Sequence, residues 1–193
     1  MIPEPIRKFA DTFSSLPSIG PRQAIRLAFY IINSGKGSIQ GLASAIAGLQ
    51  QLKTCPFCFF IHDSESHLCY ICDNPQRRKD IIMVVEKETD LISLEKTNKF
   101  NGRYFVIGNL KKNGVLETEQ KLKINNLKAR DKAEEIILAI NPTTYGDINA
   151  GLLAHELKDC AKKITRLGRG IPTGGEIEFA DEETLGSALD NRG

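Results

Sequence analysis

Four cysteines carry the clearest chemistry in the sequence: Cys55-Pro56-Phe57-Cys58 and, after ten intervening residues, Cys69-Tyr70-Ile71-Cys72. In each pair the two middle residues let the backbone turn so that both sulfurs reach one ion at roughly 2.3 Å. Four thiolates then complete the closed tetrahedron of a structural zinc site, with no position left for a substrate. The gap between Cys58 and Cys69 is shorter than the roughly 15–20 residues of longer paired-cysteine motifs, which predicts a compact knuckle. So short a ribbon buries no core of its own, and metal binding, worth about 10–16 kcal/mol in small zinc peptides, would supply most of its folding energy. One zinc per chain is the expectation. Two disulfides are the competing use of such pairs, and a reducing compartment disfavours them. His62 and His67 lie between the pairs and either could replace a sulfur, but the symmetry of the cysteines leaves both as loop histidines among Asp63, Ser64, Glu65 and Ser66. Cys160, on a later helical pattern, reads as a small buried apolar side chain.

A second set of groups is acidic. Glu86 follows an apolar run, and Tyr145-Gly146-Asp147 follows another after Asn141-Pro142-Thr143-Thr144. A glutamate and an Asp-x-Asp pair at the ends of strands would hold Mg²⁺ for phosphoryl transfer, since magnesium takes one or two carboxylates plus water and substrate oxygens. Here Tyr145 stands in place of one carboxylate of the pair. Glu86 as a helix-start acid or ion-pair partner and Asp147 as a helix cap are the plainer uses.

The third set is basic. The formal net charge is only +2, but the first 53 residues hold Arg7, Lys8, Arg22, Arg26, Lys36 and Lys53 against Glu4 and Asp11. A concentrated positive face attracts phosphates even on a nearly neutral protein. Ile6, Phe9, Ala10 and Phe13 repeat at helical spacing, and so do Ala24, Leu27, Ala28 and Ile31. Between them Leu16-Pro17-Ser18-Ile19-Gly20-Pro21 predicts a tight turn that buries Leu16 and Ile19, with Gly20 supplying backbone freedom and Pro21 opening the second helix. Helix, hydrophobic-glycine hairpin, helix is a helix-hairpin-helix arrangement. Its second helix aims backbone amides and the positive end of its dipole at an anion, with Arg22 and Arg26 one turn apart beside that end. Such contacts would hold DNA by its phosphates and read no bases; a purely structural helical hairpin is the plainer use. Ser38 is expected to cap a third helix through Leu42, Ile46 and Leu49.

The elements that must position the acidic groups lie in the second half. Ile81–Val85, Tyr104–Ile107, Ile136–Ile140 and Ile164–Leu167 suit strands buried on both faces. Helices between them include one capped by Thr89 through Leu91, Ile92 and Leu94, one with Leu122 and Leu127, and one with Leu152, Leu153 and Leu157. Alternation of this kind predicts an α/β fold with a mostly parallel sheet, whose working edge is at the carboxyl ends of the strands. After it, Gly168, Gly170, Gly174 and Gly175 predict an extended arm. Glu176–Asp181 then reads as a short alternating strand with Ile177 and Phe179 on one face, and Glu182–Arg192 as a closing helix with Leu185 and Leu189 inward. The arm is a candidate for subunit contacts. The expected regions are 1–53, 54–78, 79–167 and 168–193. The opening residues contain no apolar leader segment and no run approaches 18 apolar residues, so a cytosolic protein without a membrane span is expected.

Taken in order, these strings resemble the bacterial recombination mediator family RecR over nearly the whole chain. The resemblance rests on Leu16–Pro21 with Arg22 and Arg26, the four cysteines, Val84-Val85-Glu86, the 139–143 run, Thr165–Gly175 and Phe179–Leu189. It implies a Toprim-like sheet and a non-enzymatic DNA clamp that assembles from dimers into ring-shaped tetramers. It further implies action with RecO, and often RecF, to load the recombinase RecA on gapped single strands coated by single-strand binding protein. The family's Glu-Gly-Glu string is Tyr145-Gly146-Asp147 here, and its proline-rich loop after the second strand is replaced by Lys111–Leu116. The resemblance therefore implies a partner-facing or vestigial acidic site at Glu86, Tyr145 and Asp147. The rival reading is a Mg²⁺-dependent Toprim nuclease or topoisomerase-like enzyme; a third is a structural zinc protein that assembles other proteins.

Overall fold

Apolar residues at helical spacing, with a proline in the first turn where its missing N–H costs nothing, make Glu4–Phe13 the first helix (α1). In the computed structural model, which describes residues 2–112, 114–190 and 192, the chain divides into two units, Met1–Leu52 and Lys53–Gly193.

In the first unit α1 packs on α2 (Pro21–Asn33) through Ile6, Ala10, Ala24 and Ala28, all buried. A third helix, α3 (Lys36–Gly48), follows directly. Three local expectations change. Leu16 is 46% exposed rather than buried, because the turn projects beyond the short α1–α2 contact. Gly20 is extended (φ −87°), and it is Ser18 that takes the left-handed conformation (φ 65°). Ser38 caps nothing, because Gly35, at φ 88°, reverses the chain and starts α3 three residues earlier than a Ser38 cap would.

The second unit begins with a two-stranded antiparallel hairpin, β1 (Lys53–Thr54) and β2 (Ile61–His62), and a one-turn helix, α4 (Tyr70–Asp73). It continues as β3 (Ile81–Val85), α5 (Glu88–Glu95), β4 (Arg103–Val106), α6 (Thr118–Lys128), β5 (Ala133–Ala139), α7 (Thr144–Leu157), β6 (Ala161–Arg166) and α8 (Glu182–Asp190). The four longer strands form a wholly parallel sheet in the order β4-β3-β5-β6. Period-two alternation sends Ile82, Val84, Phe105, Ile136 and Leu138 to one face, under α6 and α7. Met83, Val85, Tyr104 and Val106 go to the other, against Leu91 of α5 and the knuckle's Phe60 and Ile71. The chain leaves β3 toward β4 and later returns past β3 to β5, so the strand order reverses between β3 and β5, the point at whose carboxyl ends sheets of this kind bind ligands.

Several expectations need correcting here too. β6 is an edge strand with Lys162 and Lys163 exposed, not a strand buried on both faces. α5 starts after Lys87, whose N–H donates to Asp90 Oδ2 at 3.0 Å, so Thr89 lies inside the helix and does not cap it. Residues 177–179 form a 3₁₀ turn with Ile177 68% and Phe179 79% exposed. No neighbouring strand meets them among the described residues, so alternation alone cannot make a strand. Leu189 on α8 points outward, 64% exposed. No described helix is long and apolar enough to cross a membrane.

Candidate functional site

The knuckle is built by backbone before any ion is considered. Cys55 N–H donates to the Phe60 carbonyl and Phe59 N–H to the Cys55 carbonyl, both at 2.9 Å. Phe59 turns the chain at φ 62°, which delivers Cys55 and Cys58 to the same side. Cys69 is the extended residue before α4, so Cys72 returns to it after one turn. All four thiols are at most 1% exposed and none is in a disulfide. Their sulfurs lie within 4.8 Å of one another, with Cys58 and Cys69 at 3.4 Å. Ligands about 2.3 Å from one tetrahedral ion would stand about 3.8 Å apart, inside this range. Hydrogen bonds from Cys58 and Cys72 hold Cys69 far below the ordinary thiol range. The contact with Cys69, together with burial, pushes Cys58 up against the opposing effect of Cys72, and contacts with Cys58 and Cys69, together with burial, push Cys72 up. The cluster cannot carry four thiolates unaided, and the donor set suits a thiophilic divalent cation. Among the described residues this is the one group of three or more metal-ligating side chains so disposed.

His62 departs from its expected place. It sits on β2 opposite Lys53 and is buried, with no hydrogen-bond partner for either ring nitrogen among the described residues. His67 is exposed, and neither joins the sulfur cluster. Cys160 lies in the turn after α7 rather than on a helix, within the sheet core, and burial raises its pKa.

The acidic residues lie at the carboxyl ends of the strands, and each carboxylate has a protein partner. Glu86 Oε1 accepts from Asn141 N at 3.3 Å and Asn141 Nδ2 at 3.2 Å, a link across the β3/β5 switch. Thr143 caps α7 by accepting from Gly146 N at 3.1 Å. Gly146 is required there, because a Cβ would run into the Asn141 carbonyl. Asp147 accepts from Arg166 at 2.6 Å and also from Arg169, which in turn pairs with Glu183 of α8. The Arg166 guanidinium holds the Asp147 carboxyl below its usual range. Thr143, Asp147, Arg166, Arg169 and Glu183 line a cleft of about 700 Å³ between α7, the end of β6 and the arm. Tyr145 is 47% exposed, with Lys112 Nζ 5.5 Å from its ring centre. Sequence reasoning named Glu86 and Asp147 but missed the arginines that engage Asp147. The signal available was the pair of arginines inside and just past the Ile164–Leu167 stretch.

At the other end of the chain Arg22 and Arg26 are exposed on the first turns of α2. No side chain caps that helix, so its first amides are open. The space above Gly20 is open as well.

Comparison with known proteins gives one consistent result. Residues 6–49 match the family model described as RecR, helix-hairpin-helix; residues 80–168 match the Toprim domain; and residues 170–192 match RecR, C-terminal. A curated relative, Recombination protein RecR of Chloroflexus aggregans (strain MD-66 / DSM 9485), is 41% identical over 197 residues, covering 100% of this chain and 95% of the relative. With three matched segments in order and identity across its full length, the chain belongs to the RecR family.

Proposed function

We propose that the protein is a zinc-containing DNA clamp and recombination mediator that acts with RecO, and with RecF where that protein accompanies it, to promote RecA loading on gapped single-stranded DNA. The observation that carries this reading is the whole-length likeness to a Recombination protein RecR. The uncapped start of α2 with Arg22 and Arg26 supplies a phosphate-binding end. The four cysteines are assigned to one structural zinc, whose closed thiolate set leaves no site for catalysis. Recombinase assembly on gapped DNA coated by single-strand binding protein tests the function. Assembly should speed up when this chain and RecO are added together, and a rate unchanged across a wide range of both proteins would defeat it.

We assign no catalysis to the Toprim edge. Asp147 is neutralised by Arg166 and Arg169, and Glu86 is tied to Asn141. The exposed Tyr145 and the neighbouring carboxylates are instead the surface offered to RecO. Neither Mg²⁺ nor Mn²⁺ should elicit nicking or relaxation of supercoiled DNA; a nicking activity lost in Glu86→Gln would promote the nuclease reading.

The clamp is a homo-oligomer, with a ring-shaped tetramer as the full assembly. In the first unit Phe9, Phe13, Ile32, Ile39, Leu42 and Ile46 line an apolar groove of about 380 Å³, which suits a second copy. The exposed Ile177 and Phe179 on the arm offer a separate contact. Leu42→Glu with Ile46→Glu is expected to reduce the particle mass measured by light scattering; an unchanged mass would remove the groove from the assembly.

A further inference from the structure

Four thiolates around a divalent ion form a dianion, and buried charge is costly unless partners compensate it. Two guanidiniums stand against the loops that carry the ligands. Arg103, the first residue of β4 and 8% exposed, donates through Nη2 to the carbonyl of Cys72 at 2.8 Å. Arg130, just past α6, donates through Nη2 to the carbonyl of Phe57 at 2.8 Å. Both also lie over the ring of Phe57, the residue before Cys58, with Cζ 4.5 Å and 3.9 Å from its centre. Arg103 Nε and Arg130 Nη1 are buried without a hydrogen-bond partner among the described residues. The same strand fastens the knuckle by its backbone, since Val106 N–H donates to the Cys58 carbonyl at 2.8 Å.

We propose that Arg103 and Arg130 are the positioning and charge-compensating residues of the four-cysteine centre, fixing its ligand loops on β4 and setting how long the metal is retained. The inference rests on reading the cysteines as a metal site. Arginine suits the task because its planar fork stacks on an aromatic ring while donating in its own plane to a carbonyl. A lysine keeps the charge but not that geometry.

The test uses the zinc-loaded full chain and follows metal release into excess chelator for Arg103→Met, Arg130→Met and Arg130→Lys. Arg78→Met serves as a control, because Arg78 meets Asp80 at the surface. Both Met variants should release zinc about 10–100-fold faster, the range that changes outside the ligand shell produce in affinity. Arg130→Lys should fall between them and the parent, and Arg78→Met should match the parent. With Co²⁺ in place of zinc, the sulfur-to-cobalt charge-transfer band should move to longer wavelength in the Met variants, because losing a nearby cation raises the sulfur lone pairs; a packing role alone would leave it in place. One metal per parent chain, with variant release at the parent rate and an unshifted band, overturns the proposal. A parent with no stoichiometric metal overturns the metal reading, and the proposal with it. Should a Met variant not fold, Arg130→Lys decides: several-fold faster release supports the proposal, and the parent rate sinks it.

Discussion

Changing Cys72 to serine is expected to abolish stoichiometric zinc and to strip amide-exchange protection from residues 53–74, while β3 and β5 stay protected. The free energy of a four-thiolate site is about 10–16 kcal/mol in small zinc peptides, comparable to the whole stability of a typical domain, about 5–15 kcal/mol. The hairpin has only two residues per strand, so nothing else of that size holds it. The sheet core around Val84, Phe105 and Ile136 contains none of the four clustered cysteines, so its folding does not depend on the ion directly. Lower pH should act in the same direction as the mutation. Cys58 and Cys72 have raised pKa values, so zinc must displace their protons, and affinity falls as pH falls. Elemental analysis with hydrogen exchange checks both statements; a Cys72→Ser protein holding one zinc per chain would refute the ligand assignment.

Reversing both charges at the start of α2, Arg22→Glu with Arg26→Glu, should weaken binding to gapped DNA by at least about a hundred-fold at moderate salt. In the proposed tetramer each arginine of every copy would meet phosphate, so four copies on one DNA would multiply a small per-chain change through effective concentration. Each lost phosphate contact also lowers the slope of log affinity against log salt by about one. Zinc content and oligomer mass should not change, because both side chains are exposed on α2. Fluorescence anisotropy at several salt concentrations is the check, and parent-like affinity in the double variant would make the hairpin purely structural.

How much of this could be read from residues alone depended on whether the determining contacts were local. The cysteine pairs were legible because metal geometry fixes their spacing, and Ile81–Val85 because a central parallel strand is apolar on both faces. β6 was only partly legible: as an edge strand it exposes Lys162 and Lys163, so its start is hidden in a polar run. His62 looked like a loop residue among serines and acids, yet pairing with Lys53 across the hairpin buries it. Ile177–Phe179 alternates like a strand but has no neighbour to pair with among the described residues. Arg103 and Arg130 gave no signal, since the ring they stack on lies far along the chain; Arg166 and Arg169 were visible at the end of a strand pattern, but their pairing with Asp147 was not. The helix-hairpin-helix was legible as a pattern, but which turn residue goes left-handed was not, because serine at φ 65° runs against local preference.

That this chain grips DNA through phosphates and not bases is the core of the proposed function. It is tested most directly by measuring the affinity of the wild-type protein for two unrelated gapped DNA sequences across a range of salt. Closely matching affinities on a shared, steep, linear dependence of log affinity on log salt are predicted. A strong preference for one sequence, or affinity that barely responds to salt, would contradict it.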